Sequence, residues 1–404
     1  MTPVASTPRA PALADLDRAG LAGWLAAETG VARATCERTA TKALRLAFGS
    51  GEAPPWTAET LTAANIGRWA QDALLALDPR PSLVLHERAP SSDGTIRLLF
   101  RTHDGMLIES VVIPAEDGRR SARTTLCIST QVGCARACSF CETGRLGLAR
   151  QLSAGEIFDQ VRLAIALCLE ERPRDRRARD LRGDSPEARQ SDAGSPSAFA
   201  ERPISNVVFM GMGEPLDNLR EVLRALALLT EPVALAFPPS RITVSTVGVT
   251  DKIAAFYAGT NVDLAVSLHA TDDARRSAIM PVNRKHDLET LRTTLLATVP
   301  KNRKIMFQYT LFDRWNDAPE DADALAEFVR PFRCRVNVIP ANPGPDPALV
   351  APSHERFDAF VARLSSHGVT TLVRRPRGRD VGGACGQLAG ARRLTLLEER
   401  PSCG

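Results

Sequence analysis

The chain has 404 residues, 44% hydrophobic and 24% charged, with a formal net charge of +4. This is ordinary for a globular protein with one large and one smaller domain, and it excludes a collagen-like, low-complexity or strongly polycationic chain. The opening residues lack the apolar core of a secretion signal, and no run of about 18 apolar residues occurs, so a cytoplasmic protein without a membrane span is expected. Nine cysteines in such a chain point to metal or redox chemistry rather than to a disulfide scaffold.

Residues 1–12, rich in Pro, Ala and Thr, read as a disordered tail. From 13 to 80 apolar residues recur at helical spacing, as in LADLDRAGLAGWLAAETG and ATKALRLAF, and predict a small helical domain. Residues 81–122 alternate apolar and polar, with turns at Ser92-Asp93-Gly94 and His103-Asp104-Gly105, and predict a three-stranded β-meander. From 123 to 388 the rhythm becomes strand, loop, helix. The expected strands are Thr124–Ser129, Asn206–Met210, Arg241–Ser245, Asp263–Leu268, Ile305–Leu311 and Arg335–Ile339. Amphipathic stretches fall between them at Ala154–Leu169, Asn218–Leu229, Leu288–Thr298 and Asp321–Val329. The fold class is therefore α/β: a parallel sheet with crossover helices, forming a partial (β/α)6 barrel because six units are too few for a closed eight-fold one. Residues 170–203 interrupt the rhythm with a mixed-charge, low-complexity run, read as a disordered insertion, and 389–404 form a C-terminal tail.

The most informative stretch is LCISTQVGCARACSFCETG. Cys134, Cys138 and Cys141 form C-x₃-C-x₂-C after a predicted strand, with Phe140 before the third. Thiolates are the usual ligands of iron–sulfur clusters, and three of them leave one iron of a [4Fe-4S] cluster open to a small molecule. A structural zinc site is the rival, but zinc normally takes four ligands, and no second CxxC or HxxxH pair lies nearby. Further motifs fall at strand carboxyl ends, where α/β folds gather their chemistry: Gly213 and Glu214 in GMGEP, Ser245 in STVG, Ser267-Leu268-His269, and Asn342 in IPANPG.

The cysteine spacing resembles that of the radical S-adenosylmethionine superfamily. The ordered series LCISTQVGC, GMGEP, STVG, SLHA, IPxNP and ACGQL, from about Glu109 to Leu388, resembles the RlmN/Cfr family of RNA adenine methyltransferases, closest to the RlmN branch. The resemblance implies a [4Fe-4S] cluster on Cys134, Cys138 and Cys141, and S-adenosylmethionine, two per turnover, held by Gly213, Glu214, Ser245, Ser267, Leu268, His269 and Asn342. It implies that Cys385 carries a methyl group, that a radical abstracts hydrogen from it, and that the resulting methylene joins adenine carbon 2 of 23S rRNA, with tRNA as a second substrate. Cys127 then matches the resolving thiol, through a transient disulfide with Cys385, and Glu109 the acceptor of the ring proton. The resemblance further implies a reducing donor such as flavodoxin or ferredoxin, a monomer, and an accessory RNA-binding role for residues 13–80.

Arg374, Arg375, Arg377 and Arg379 precede Cys385 and are candidate phosphate contacts. The Gly-rich approach to Cys385 suggests a mobile loop. The sequence departs from the family in its long 170–203 segment, in ATDDARRS after SLH, and in Gly382-Gly383 before Ala384. Two alternatives stay open: methylation at carbon 8, as in the Cfr branch, and a non-catalytic iron–sulfur protein that binds RNA or senses redox state.

Overall fold

A computed structural model describes residues 12–48, 56–77, 79–114, 123–170 and 203–389. The expected N-terminal tail, most of the 170–203 insertion and nearly all of the C-terminal tail lie outside these residues. The described chain divides into two compact units. One comprises residues up to Val84 with the segments starting at Ser153 and Arg224; the other comprises Leu85–Leu152, Ile204–Leu223 and the chain from Pro238.

The first unit is helical. Helices α1 (Arg18–Thr29), α2 (Arg33–Phe48), α3 (Ala58–Ala63) and α4 (Arg68–Leu75) group with α6 (Ala154–Glu170). Local chemistry sets the helix limits. Asp17 caps α1 by accepting the Gly20 N–H at 2.7 Å, and Gly30 ends it in the left-handed region at φ +68°. Leu21, Leu25, Leu44 and Leu74 are fully buried, and Phe48 packs edge-on against Phe158 at 4.9 Å. Gly155 N–H donates to Asp15 at 2.9 Å and Ser82 N–H to Asp159 at 2.6 Å, so α6 joins its neighbours through polar as well as apolar contacts.

The second unit is built on one ten-stranded sheet. Strands β1 (Leu83–Pro90), β2 (Ile96–Thr102) and β3 (Leu107–Ile113) are the expected meander, and β3 runs antiparallel to β4 (Thr125–Cys127). From β4 the sheet continues in parallel through β7 (Asn206–Phe209), β8 (Ile242–Thr246), β9 (Asp263–Ser267), β10 (Ile305–Leu311) and β11 (Cys334–Pro340). These are the six strands read from the sequence. The sheet does not stop there, because β12 (Thr371–Val373) adds a seventh parallel strand beside β11. Three residues with two exposed side chains give no alternation signal, which is why β12 was not anticipated.

A second departure lies at the cysteine loop. β5 (Gln131–Cys134) and β6 (Gly147–Gln151) form a separate two-stranded ribbon enclosing the short helix α5 (Glu142–Arg145). Crossover helices α7 (Leu219–Thr230), α8 (Thr250–Gly259), α9 (Asp273–Ile279), α10 (Leu288–Thr298), α11 (Pro319–Val329) and α12 (His354–Ser366) complete the described elements used below. Among the described residues no helix is long and apolar enough to cross a membrane.

Phe158 is fully buried in the helical unit, so Phe158→Ala leaves an aromatic-sized void. A loss of about 3–5 kcal/mol is expected, read as a lowered thermal midpoint by circular dichroism.

Candidate active site

One cavity at the carboxyl ends of the parallel strands gathers most of the residues singled out by sequence. Cys134, Cys138, Cys141 and Cys385 all line it, together with Gly213, Glu214, Ser245, Ser267, His269 and Asn342. Leu268 does not, since its side chain is fully buried below the rim.

The cysteine loop is shaped by its backbone. Gly133 has φ +77°, at an irregularity in the β5–β6 register, and a Cβ there would lie 1.9 Å from the carbonyl oxygen of Gly147. Only glycine allows the ribbon to close this tightly. Ala137, at φ +53°, turns the chain between the first two cysteines, and Cys141 N–H donates to the Cys138 carbonyl at 3.1 Å. Phe140 stands edge-on to His269 at 5.0 Å and contacts Phe312 at 5.9 Å, walling one side of the cavity.

Burial dominates the electrostatics of the three thiols. It pushes Cys134 up to about 12, raises Cys138 well above the ordinary thiol value and raises Cys141 as well. Mutual repulsion adds to the effect at Cys134 and Cys138. Such thiols are neutral unless a cation draws their protons off, as a metal does. Three thiols, one buried and two half-buried, face one cavity from a single loop, so the donor set suits the expected group.

The rest of the rim is held by buried polar side chains. Glu214 accepts the N–H groups of Leu216 at 3.0 Å and Val247 at 2.8 Å, and burial raises its carboxyl to about 7. His269 sits in the left-handed region at φ +58°, and its Nδ1 accepts the Thr310 N–H at 3.0 Å, which places the ring proton on Nε2. Burial holds this imidazole neutral, lowering it to about 3. Arg136 pairs through both Nε and Nη2 with Asp217 beside the thiols. Gln308 and Thr310, on β10, also face the cavity, and Gln308 Nε2 lies 3.1 Å from Met210 Sδ. Sequence reading missed Arg136, Gln308 and Thr310. Only their strand-end or loop position could have flagged them.

The segment bearing Cys385 is not a free loop. Asn342 Nδ2 donates to the Cys385 carbonyl at 3.1 Å, Glu142 N–H to the Gly386 carbonyl at 2.8 Å, and Thr143 Oγ1 to the Leu388 carbonyl at 2.7 Å. From the meander side, Arg97 Nε donates to Val381 O at 2.9 Å, and Asp380 accepts from Ser91 and Ser92. The Cys385 side chain nevertheless remains exposed. Multiple tethers thus replace the mobility suggested by the glycines.

Three expectations need correction or refinement. Glu109 is fully buried outside the cavity: Arg97 Nη1 donates to it at 3.1 Å and the Ala389 N–H at 2.7 Å. Two of the four arginines are already engaged, Arg377 with Asp93 and Arg379 with Asn342 at 2.8 Å, whereas Arg374 and Arg375 have no ion-pair partner among the described residues. The disulfide is not present, since all eight described cysteines are free thiols. Burial pushes the Cys127 thiol up to about 12; the nearby Cys385 raises it further and Arg374 opposes.

Gly133→Ala forces a Cβ into the Gly147 carbonyl and strains a left-handed position. The variant is expected to lose about 2 kcal/mol or more and to expose Cys134 to thiol reagents, measurable by thermal melting and by labelling kinetics.

No family model matches the chain. A Sorangium cellulosum protein described as a probable RNA methyltransferase is 57% identical over 389 residues, covering 96% of this chain and 89% of its own length. A dual-specificity RNA methyltransferase RlmN from Anaeromyxobacter dehalogenans is 44% identical, covering 74% of this chain and 73% of its own length. The crystal structure of a radical SAM methyltransferase from Sphaerobacter thermophilus superposes with a TM-score of 0.73 at 36% identity, covering 94% of this chain and 99% of that one. With relatives this similar along most of their length, and with the motif cysteines gathered in one strand-end cavity, the chain belongs to the RlmN/Cfr family of radical S-adenosylmethionine RNA methyltransferases.

Proposed function

We propose that this protein methylates carbon 2 of an adenine in 23S rRNA, with tRNA as a second substrate, by way of a methyl group carried on Cys385. The observation that carries the reading is that the exposed Cys385 lines the same cavity as Cys134, Cys138 and Cys141. A thiol that neighbours the cluster ligands without matching their motif calls for a separate task, and methyl carriage is the one the family supplies.

In this reading Cys134, Cys138 and Cys141 would hold a [4Fe-4S] cluster that supplies radical chemistry with one S-adenosylmethionine, while the second S-adenosylmethionine of each turnover would give its methyl group to the Cys385 sulfur. Glu214 presents a carboxylate to the amino group of S-adenosylmethionine, with Gly213, Ser245, Ser267, Leu268 and His269 around it. His269 offers an Nε2–H donor that stays neutral across the working pH range. Asn342 fixes the main chain of Cys385, so that the methyl carrier is oriented rather than loose. Adenine carbon 2 is electron-poor and does not attack a sulfonium methyl group, which is why a carrier thiol and a radical route are needed. Glu109 takes the ring proton after exchanging the Arg97 and Ala389 contacts that hold its carboxylate outside the cavity. Cys127, once deprotonated, frees the product by attack on the Cys385 sulfur: the S–C bond to the base breaks, its electron pair goes to the methylene carbon, which takes a proton to become the methyl group, and the S–S bond formed belongs to turnover and not to the resting protein.

Arg374 and Arg375, beside the Cys385 segment and without an ion-pair partner among the described residues, are assigned to RNA phosphates, and the helices of residues 13–80, with Arg38, Arg45 and Arg68 exposed, to accessory RNA contact. The target base is unstacked to reach the thiols. A flavodoxin or ferredoxin supplies electrons, and the enzyme acts as a monomer in the cytoplasm.

One observation favours a second reading, in which the target RNA or ring carbon differs. The Sorangium cellulosum strain whose probable RNA methyltransferase is 57% identical to this chain also has an RlmN that is only 40% identical. Two coexisting copies are free to divide substrates, and carbon 8 is the alternative position.

Nucleoside mass spectrometry of unmodified rRNA and tRNA, treated with reconstituted enzyme, tests both readings. A 2-methyladenosine peak that disappears in Cys385→Ala is expected, while 8-methyladenosine supports the second reading. Cys127→Ala is expected to accumulate a covalent protein–RNA adduct on denaturing gels, and free methylated RNA at the normal yield removes Cys127 from the mechanism. Because burial raises all three ligand thiols, iron uptake releases their protons and tightens as pH rises. Iron content after reconstitution across a pH series checks the sign.

A further inference from the structure

Arg276, on α9, is the largest wholly buried side chain. A guanidinium removed from water is normally matched by a carboxylate, because an unpaired buried charge is costly. Here four donor contacts go to uncharged acceptors. Nε donates to Leu268 O at 3.0 Å, Nη1 to Asn283 Oδ1 at 2.7 Å, and Nη2 to Val247 O at 2.7 Å and Ser267 O at 3.0 Å. The nearest carboxylate on its own element, Asp273, is one side chain removed: Asn283 stands between, donating to Asp273 Oδ1 at 2.8 Å. On the other side Glu214 accepts the N–H of Val247, whose carbonyl Arg276 holds. Glu214 and Arg276 therefore grip opposite ends of residue Val247.

Two consequences follow from these contacts. The three carbonyls belong to the ends of β8 and β9, so Arg276 fastens together the strand ends that carry Ser245, Ser267 and His269. Its helix also packs on the thiol loop: Ile279 and Met280 lie against Cys138, and Ser139 N–H donates to Ile279 O at 3.0 Å. Arg276 itself stays cationic at neutral pH, burial lowering it only to about 10.

We propose that Arg276 is the counter-charge of the thiol site: a buried positioning residue that fixes the ends of β8 and β9 and, from the helix packed against Cys138, sets the reduction potential of the cluster those thiols hold. The proposal rests on reading Cys134, Cys138 and Cys141 as cluster ligands. Three thiolates give such a cluster a net negative charge, and reduction adds one more, so a fixed cation beside it favours the reduced state. Net charge and hydrogen bonding are the levers by which proteins tune these potentials.

The test is a dithionite titration, followed by electron paramagnetic resonance, of anaerobically reconstituted wild type, Arg276→Gln, Arg276→Lys and Asp273→Asn. Arg276→Gln is expected to make reduction about tenfold less favourable, which is about 59 mV for a one-electron couple. Arg276→Lys keeps the charge but cannot reach three carbonyls, so the potential stays near wild type while S-adenosylmethionine binding weakens. Asp273→Asn keeps both acceptor contacts of Oδ1, with Asn283 and with Leu288 N–H, and removes the nearest opposing charge on α9, so reduction becomes easier. Should Arg276→Gln fail to fold, Asp273→Asn decides alone, and a potential that does not rise overturns the proposal. A loaded protein whose potential ignores both substitutions also overturns it, leaving the cluster reading intact. A wild-type protein that takes up no iron overturns the cluster reading and the proposal together.

Discussion

Where parallel strands end, their last peptide groups lose the neighbours that satisfied them inside the sheet, and the active site is built from the side chains that replace those neighbours. Glu214 takes the N–H of Val247, Arg276 the carbonyls of Val247, Ser267 and Leu268, and His269 the N–H of Thr310. Asn316 closes the same rim by donating to the carbonyls of His269 and Thr310, both at 2.7 Å. Asn218 does the equivalent at the entrance to the cysteine ribbon, bonding Thr130 O and Leu152 O. Each of these is a polar group buried for a stated backbone partner, and together they turn a ragged set of strand ends into a preorganised wall.

That wall explains how one chain holds thiols with opposite requirements. Cys138 is buried and Cys134 and Cys141 are half-buried, and burial raises all three thiols. Cys385 lies exposed, yet its main chain is tied to Asn342 and to neighbours on α5. The β-meander supplies the counter-tethers, with Asp93, Arg97 and Glu109 gripping the segment from Arg377 to Ala389. An extension of the sheet that takes no part in the cavity thus anchors the Cys385 segment.

Charge follows the same division. Of the four arginines before Cys385, Arg377 and Arg379 are structural ties, whereas Arg374 and Arg375 have no ion-pair partner among the described residues. The buried cation of the site, Arg276, comes instead from an Arg-Arg pair on α9 whose first member, Arg275, binds Asp321 at 2.7 Å. Counting arginines identifies none of this, because neighbouring residues of one type face different environments.

The sequence by itself determined the six parallel strands, the meander, the helices between them and the three-cysteine motif, since side-chain periodicity and close ligand spacing are local properties that survive in one dimension. It also located the strand-end motifs, because an α/β chain delivers each strand end to the same edge of the sheet. Only the tertiary structure decided that Glu109 turns away to hold Arg97 and Ala389, that Leu268 supports the rim from below, and that the ribbon of β5 and β6 carries the cysteine loop. The role of Arg276 was equally hidden. Its partners lie on β9, in the turn after β8 and in the turn after α9, and a hydrogen bond between segments leaves no periodic trace in either of them.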